Sequence, residues 1–123
     1  MKDHILIVED ELPICDLLRA FFQRRGYDVT AVHDAAAAAE RIQAGEFHLL
    51  ILDILLPDGD GMELLEKAQE RHPDLPVIIM TGIGFDEELL REARRKGASG
   101  YVSKTLPLDQ LLMEVHRVLK HPK

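Results

Sequence analysis

Five consecutive residues, Leu49-Leu50-Ile51-Leu52-Asp53, constrain this chain more than any other stretch. Four apolar side chains in a row cannot alternate between core and water, so the run fits a strand buried on both faces of a sheet, bounded by the turn signal Pro57-Asp58-Gly59. A sheet covered on both faces carries helices on each side and is built from parallel strands. Asp53 then stands at the carboxyl end of its strand, the edge where open α/β sheets bind ligands. An isolated acid there often does no more than accept backbone N–H groups of the next turn. The other acids and one lysine of this chain change that reading.

In chain order the pattern repeats. Ile5 to Val8 is a second buried run, and it too ends in acids, Glu9-Asp10-Glu11. Pro13 suits the first turn of a helix whose apolar positions Ile14, Leu17, Leu18 and Phe21 share one face, with Cys15 in the core and Gly26 past the end. Tyr27 to Val32 alternates as a strand, and Asp34 is placed to cap an alanine-rich helix closed by Gly45. After the turn at residues 57–61 comes a helix bearing Met62, Leu64, Leu65 and Ala68 and stopped at His72-Pro73. Val77 to Met80 is a fourth buried run, followed by Thr81-Gly82. Asp86 to Lys96 reads as a helix with little apolar content, Gly100 to Val102 as a short last strand, and Leu108 to Leu119 as a strongly amphipathic helix. Five strands alternating with five helices imply one α/β domain over residues 1–123, doubly wound and flavodoxin-like, with parallel strand order 2-1-3-4-5.

Composition narrows the function. Hydrophobic residues make up 46% and charged residues 30%, with a net charge of −7, which disfavours a nucleic-acid surface on this domain. No apolar stretch approaches the ~18 residues that span a bilayer, and the N-terminus has no signal-peptide pattern. One cysteine cannot form an internal disulfide, so a cytoplasmic setting is expected.

In the 2-1-3-4-5 order the first and third strands are neighbours, which gathers Glu9, Asp10 and Asp53. Three crowded carboxylates repel, and the arrangement is costly unless a cation is bound. Oxygen ligands of this kind suit Mg²⁺, with Mn²⁺ able to substitute. A single acid would be explained by the positive end of the first helix; three exceed that role. The fourth and fifth strands bring Thr81 and Lys104 to the same edge. A hydroxyl and an ammonium beside a carboxylate and a divalent ion form a receptor for a phosphoryl group.

With these residues assembled, the whole chain resembles the receiver domains of two-component response regulators. The motifs are Glu9-Asp10 after the first strand, Asp53 followed by Pro57 and Gly61, Thr81 followed by Gly82, and Lys104 preceded by Tyr101. The resemblance implies that Asp53 is the phosphoacceptor and that Asp10, Asp53 and the backbone carbonyl of Leu55 bind Mg²⁺, with Glu9 acting through water. It implies that Thr81 and Lys104 grip the phosphoryl group and that Tyr101 is the switch aromatic, turning from an exposed to a buried rotamer. The implied donor is a sensor histidine kinase or a histidine phosphotransfer protein. The implied output is a partner or output domain reached through residues 82–119, or a phosphorylation-dependent homodimer, with no direct nucleic-acid or membrane contact. Chemistry would be confined to Mg²⁺-assisted self-phosphorylation and self-dephosphorylation. Thr105 stands where the family carries proline, leaving the peptide after Lys104 open between cis and trans. The stretch from Gly100 to Pro107 is similar to receivers paired with LuxR-type helix-turn-helix domains. Leu55 and Ile83 offer no hydrogen bond to a hydrolytic water, so slow self-dephosphorylation is expected.

Three rivals differ in class. A haloacid-dehalogenase-type phosphatase also uses a strand-end Asp and Mg²⁺, but wants an acid two residues later, where this chain has Leu55. A flavodoxin-like FMN carrier needs a phosphate-binding loop after the first strand, where Glu9-Asp10-Glu11 would repel phosphate. The third is a passive phosphoryl carrier in a relay, which keeps Asp53 but lacks the switch. The six histidines show no metal-ligand spacing.

Overall fold

The apolar runs become strands with no residue left to water: all five positions of the strand ending in Asp53 are buried. The computed structural model describes residues 2–45, 47–82, 86–104 and 107–119. Within them the elements are β1 (His4–Val8), α1 (Leu12–Arg24), β2 (Asp28–Val32), α2 (Ala35–Ala44), β3 (Leu49–Asp53), β4 (Leu55–Leu56), β5 (Gly59–Asp60), α3 (Gly61–Arg71), β6 (Val77–Thr81), α4 (Glu87–Arg95), β7 (Gly100–Ser103) and α5 (Leu108–Leu119). The main sheet is parallel throughout, in the order β2-β1-β3-β6-β7, which is the expected doubly wound topology.

Strand pleating splits the core in two, because successive side chains point to opposite faces. Leu6, Val8, Leu50, Leu52, Val77 and Ile79 pack with α2, α3 and Ala93 of α4 on one face. Ile5, Ile7, Leu49, Ile51, Ile78 and Met80 pack with α1 and α5 on the other. None of the described helices is long and apolar enough to cross a membrane.

Two details differ from the sequence reading. The segment after Asp53 is more than a turn: β4 and β5 form a small antiparallel ladder pairing Leu55 with Asp60 and Leu56 with Gly59. In α1 the buried face is Cys15, Leu18, Phe21 and Phe22, whereas Leu17 is 55% exposed. Cys15, Leu18 and Phe22 also fall at i, i+3 and i+7, so periodicity allowed either stripe and packing against β1 and β3 selected one. The peptide after Lys104, and with it the cis or trans question, lies outside the described residues, as does Ile83.

Helix starts follow side-chain chemistry. Asp34 accepts from the amide of Ala37 at 2.8 Å, Asp60 from Met62 at 2.9 Å, and Asp86 from Glu88 at 2.9 Å. Asp58 reaches across from the loop after β3 to accept from Ala35 and Ala36 at 2.7 and 3.1 Å, tying that loop to α2. The Ala35 amide holds the Asp58 carboxyl below its ordinary value.

Gly61 opens α3 with its N–H donated to the carbonyl of Ile54 at 2.8 Å. A Cβ there would lie 2.7 Å from Ile54 Cα and on top of the Asp53 carbonyl oxygen. The backbone next to Asp53 therefore needs this position bare. Alanine normally stabilises a helix over glycine by about 1 kcal/mol. Here we expect Gly61→Ala to destabilise by roughly 1–3 kcal/mol, the scale of an overpacked contact, read as a lower urea midpoint with unchanged slope; a stabilised variant would show that the loop yields freely.

Candidate functional site

The parallel register puts the chemistry at one edge. Val8 pairs with Leu52, Asp53 with Met80, and Thr81 with Ser103, so the carboxyl ends of β1, β3, β6 and β7 converge. Glu9 and Asp10 follow β1, and Lys104 follows β7. One carboxylate oxygen each from Glu9, Asp10 and Asp53 lies within 4.8 Å of the others, with Glu9 and Asp53 buried and Asp10 exposed.

Lys104 stands at the centre of this edge. Its ammonium lies 2.7 Å from Asp53 Oδ2, 3.0 Å from Glu9 Oε2 and 2.9 Å from Glu11 Oε1. The Lys104 backbone N–H donates to the Thr81 carbonyl at 2.8 Å, which fixes where the side chain starts. Glu9 Oε2 also accepts the Glu11 amide at 2.9 Å, and the ring Nδ1 of His33 lies 3.1 Å from the Glu9 carbonyl oxygen. Asp53 Oδ1 accepts the Leu55 amide at 3.2 Å. Glu11 was legible only as a third acid after β1; nothing in the sequence indicated that it would meet Lys104.

Electrostatics follow from burial. Desolvation raises the pKa values of Asp53 and Glu9, and their contacts with Lys104 offset only part of that rise. Burial lowers the Lys104 pKa, but the contacts with Asp53, Glu11 and Glu9 outweigh it and leave the ammonium held charged well above its ordinary range. One cation is thus shared by two buried acids and one half-exposed acid.

The donor set suits a hard divalent ion. Among the described residues Glu9 Oε1 is buried with no hydrogen-bond partner, and Asp53 Oδ2 has its short ionic contact with Lys104 but no well-directed hydrogen bond. Buried carboxylate oxygens left in this state are costly, and oxygen-only ligands with an exposed side open to water match Mg²⁺ or Mn²⁺.

Thr81 is buried at the end of β6, one residue beyond the Asp53 pairing partner. A cavity of about 600 Å³ beside β7 is lined by Thr81, Leu90, Arg94, Tyr101, Glu114 and Arg117. Tyr101 is half-buried on the core, and its hydroxyl is shielded from solvent with no hydrogen-bond partner among the described residues. The resemblance implies a ring exposed before phosphorylation; here the residue is half-buried. Above it, α4 keeps one fully buried side chain, Ala93, in line with the thin anchoring expected of this helix. Leu55, flanking the site, is 61% exposed.

Comparison with known proteins agrees across the chain. The profile of the response regulator receiver domain matches residues 5–116. The regulatory protein VanRB of Enterococcus faecalis is 36% identical over 98% of this chain and 54% of its own length. The DNA-binding transcriptional regulator NtrC of Rhizobium meliloti is 33% identical over 97% of this chain and 24% of its own. The chain thus spans about a quarter to a half of the curated relatives it matches. The crystal structure of a CheY-like response regulator receiver domain protein from Methanospirillum hungatei superposes with a TM-score of 0.92 at 32% identity, covering 98% of this chain and 95% of that one.

The shared ammonium makes a stability forecast. Lys104→Met strands Glu9 and Asp53 without a counter-charge, and breaking a buried pair in this way costs about 3–5 kcal/mol. Both acids already have raised pKa values in the fold, so the folded state binds more protons than the unfolded one above the ordinary carboxylate range. Stability of the variant should therefore recover as pH falls through that window, measured by urea unfolding at neutral and mildly acidic pH. A loss that stays constant with pH would separate Lys104 from these acids.

Proposed function

This chain belongs to the family of response regulator receiver domains, and from that premise we propose that Asp53 is its phosphoacceptor, receiving a phosphoryl group from a histidine kinase or histidine phosphotransfer protein. The observation that carries the reading is the single lysine held against a buried strand-end aspartate beside two further acids.

In the proposed reaction Asp53 Oδ2 attacks phosphorus, the bond from phosphorus to the donor imidazole nitrogen breaks, and the carboxylate becomes an acyl phosphate. Asp53 is held by the Leu55 amide on Oδ1, which leaves Oδ2, in contact with the Lys104 ammonium, as the attacking oxygen. Lys104, kept charged, stabilises the negative charge that gathers on the transferring oxygens, and Thr81 donates its hydroxyl to one of them. Asp10, Asp53 and the Leu55 carbonyl would hold the divalent ion, with Glu9 supporting it through water. When bound, that ion neutralises phosphoryl oxygens and relieves the repulsion among the acids.

The response would travel through Thr81 and Tyr101 to α4, β7 and α5. Phosphorylation is proposed to favour the inward arrangement of Tyr101 over an outward one, a population shift that a few kcal/mol of differential contact suffices to produce. The cavity shared by Thr81 and Tyr101 and the thin anchoring of α4 support this route over a passive carrier. The output, whether an attached domain, a separate partner or a homodimer, is proposed to read this face, and the setting is proposed to be the cytoplasm. The exposed Leu55 offers no hydrogen bond to a hydrolytic water, which supports slow self-dephosphorylation.

Incubation with acetyl phosphate and Mg²⁺ should add one phosphate to the intact mass of the wild type and none to Asp53→Ala; a full adduct on the variant would remove Asp53 from the role. Asp10→Asn should weaken Mg²⁺ binding at least several-fold by titration calorimetry, since one of the two carboxylates proposed to touch the ion loses its charge. Equal affinities would displace the proposed ion from this cluster.

A further inference from the structure

We infer that Glu11 is a positioning residue for Lys104, a competing carboxylate that restrains the ammonium and that a phosphoryl group on Asp53 must outbid. The inference rests on the phosphoacceptor role proposed for Asp53 and deepens it.

An ammonium has three N–H donors and no more. Among the described residues Lys104 faces three carboxylate oxygens, one each from Glu9, Asp53 and Glu11, all within 3.0 Å. Two of its hydrogen bonds go to Glu9 and Glu11, and Asp53 Oδ2 adds an ionic contact at 2.7 Å, so the carboxylates compete for one ammonium. Glu9 and Asp53 are buried and cannot withdraw without rebuilding the sheet edge. The Glu11 side chain is 55% exposed and can swing into water. It is therefore the one partner able to yield the ammonium.

A phosphoryl group is larger than the oxygen to which it attaches, so Nζ must shift outward to meet it, and the contact with Glu11 resists that shift. Glu11 also sets a negative charge against the phosphoryl group across a shared cation. The backbone of Glu11 is pinned, since its N–H is bonded to Glu9 Oε2 and its carbonyl accepts the Cys15 amide at 2.9 Å. Only the side chain is free to respond. Glu11 occupies the N-cap position of α1, yet its side chain makes no capping hydrogen bond there. Its carboxylate is committed to Lys104, not to the helix, and replacing it removes no cap.

The test uses beryllofluoride, a phosphoryl mimic, with Mg²⁺, and compares the wild type with Glu11→Gln and Glu63→Gln. Glu63 is an exposed acid in the first turn of α3 and controls for the loss of one charge. Glu11→Gln should bind the mimic about three- to tenfold more tightly, the scale of one half-exposed ion pair, and Glu63→Gln should match the wild type. Tighter binding is a result that mere damage to the fold does not produce. Equal tightening in both variants would reduce the effect to bulk charge and overturn the inference, as would unchanged or weaker binding by Glu11→Gln. A wild type that takes up no beryllofluoride would reject the phosphoacceptor reading itself, and the inference with it, an outcome distinct from a set of three equal affinities.

Discussion

One ammonium holds together an edge that would otherwise repel itself. Lys104 sits against Asp53, Glu9 and Glu11, and two of those acids are buried. Removing carboxylates from water costs several kcal/mol each, and a lone cation compensates them only in part, which is why the pKa values of Asp53 and Glu9 stay raised. The site is held in a condition that a divalent ion would relieve. Stability at this edge and readiness for chemistry are the same electrostatic quantity seen from two sides.

The rest of the fold keeps that edge in place. Buried strands β1, β3 and β6 form a stiff centre, and their register decides that Glu9, Asp53 and Thr81 end at one level. Gly61 lets α3 start directly against the backbone after Asp53, and Asp58 pulls the following loop onto α2. A larger residue at Gly61 would have to move the loop that presents the Leu55 amide to Asp53. Precision at the acid is thus obtained from backbone contacts two elements away.

Anchoring is uneven around the sheet. The faces under α1 and α3 contain several fully buried side chains, whereas α4 contributes Ala93 alone. Near α4 lie the cavity at β7 and the Tyr101 hydroxyl, which has no hydrogen-bond partner among the described residues. Segments with few buried contacts open at lower free energy than the core. A rigid receptor beside a loosely held surface is the arrangement a two-state signal needs, because the first must keep its geometry while the second must exchange populations.

The sequence by itself determined the strands, the helices and their winding. Runs such as Leu49 to Leu52 are too apolar for any place but the centre of a covered sheet, and Asp34, Pro13 and Gly26 mark helix ends through local chemistry that needs no partner. It also determined that Glu9, Asp10, Asp53, Thr81 and Lys104 share an edge, because strand order follows from the alternation of elements. What it left open was set by side chains meeting across long separations. The α1 stripe was ambiguous until the sheet chose Cys15, Leu18 and Phe22 over Leu17. Glu11 read as one more acid until the end of β7 brought Lys104 within 2.9 Å of it. Tyr101 was implied as a switch aromatic by resemblance, but that its hydroxyl is shielded from solvent was decided by packing. Secondary structure depends on neighbours within a few residues and is written locally, whereas the partner of a long flexible side chain depends on where the whole chain has placed every competitor for it.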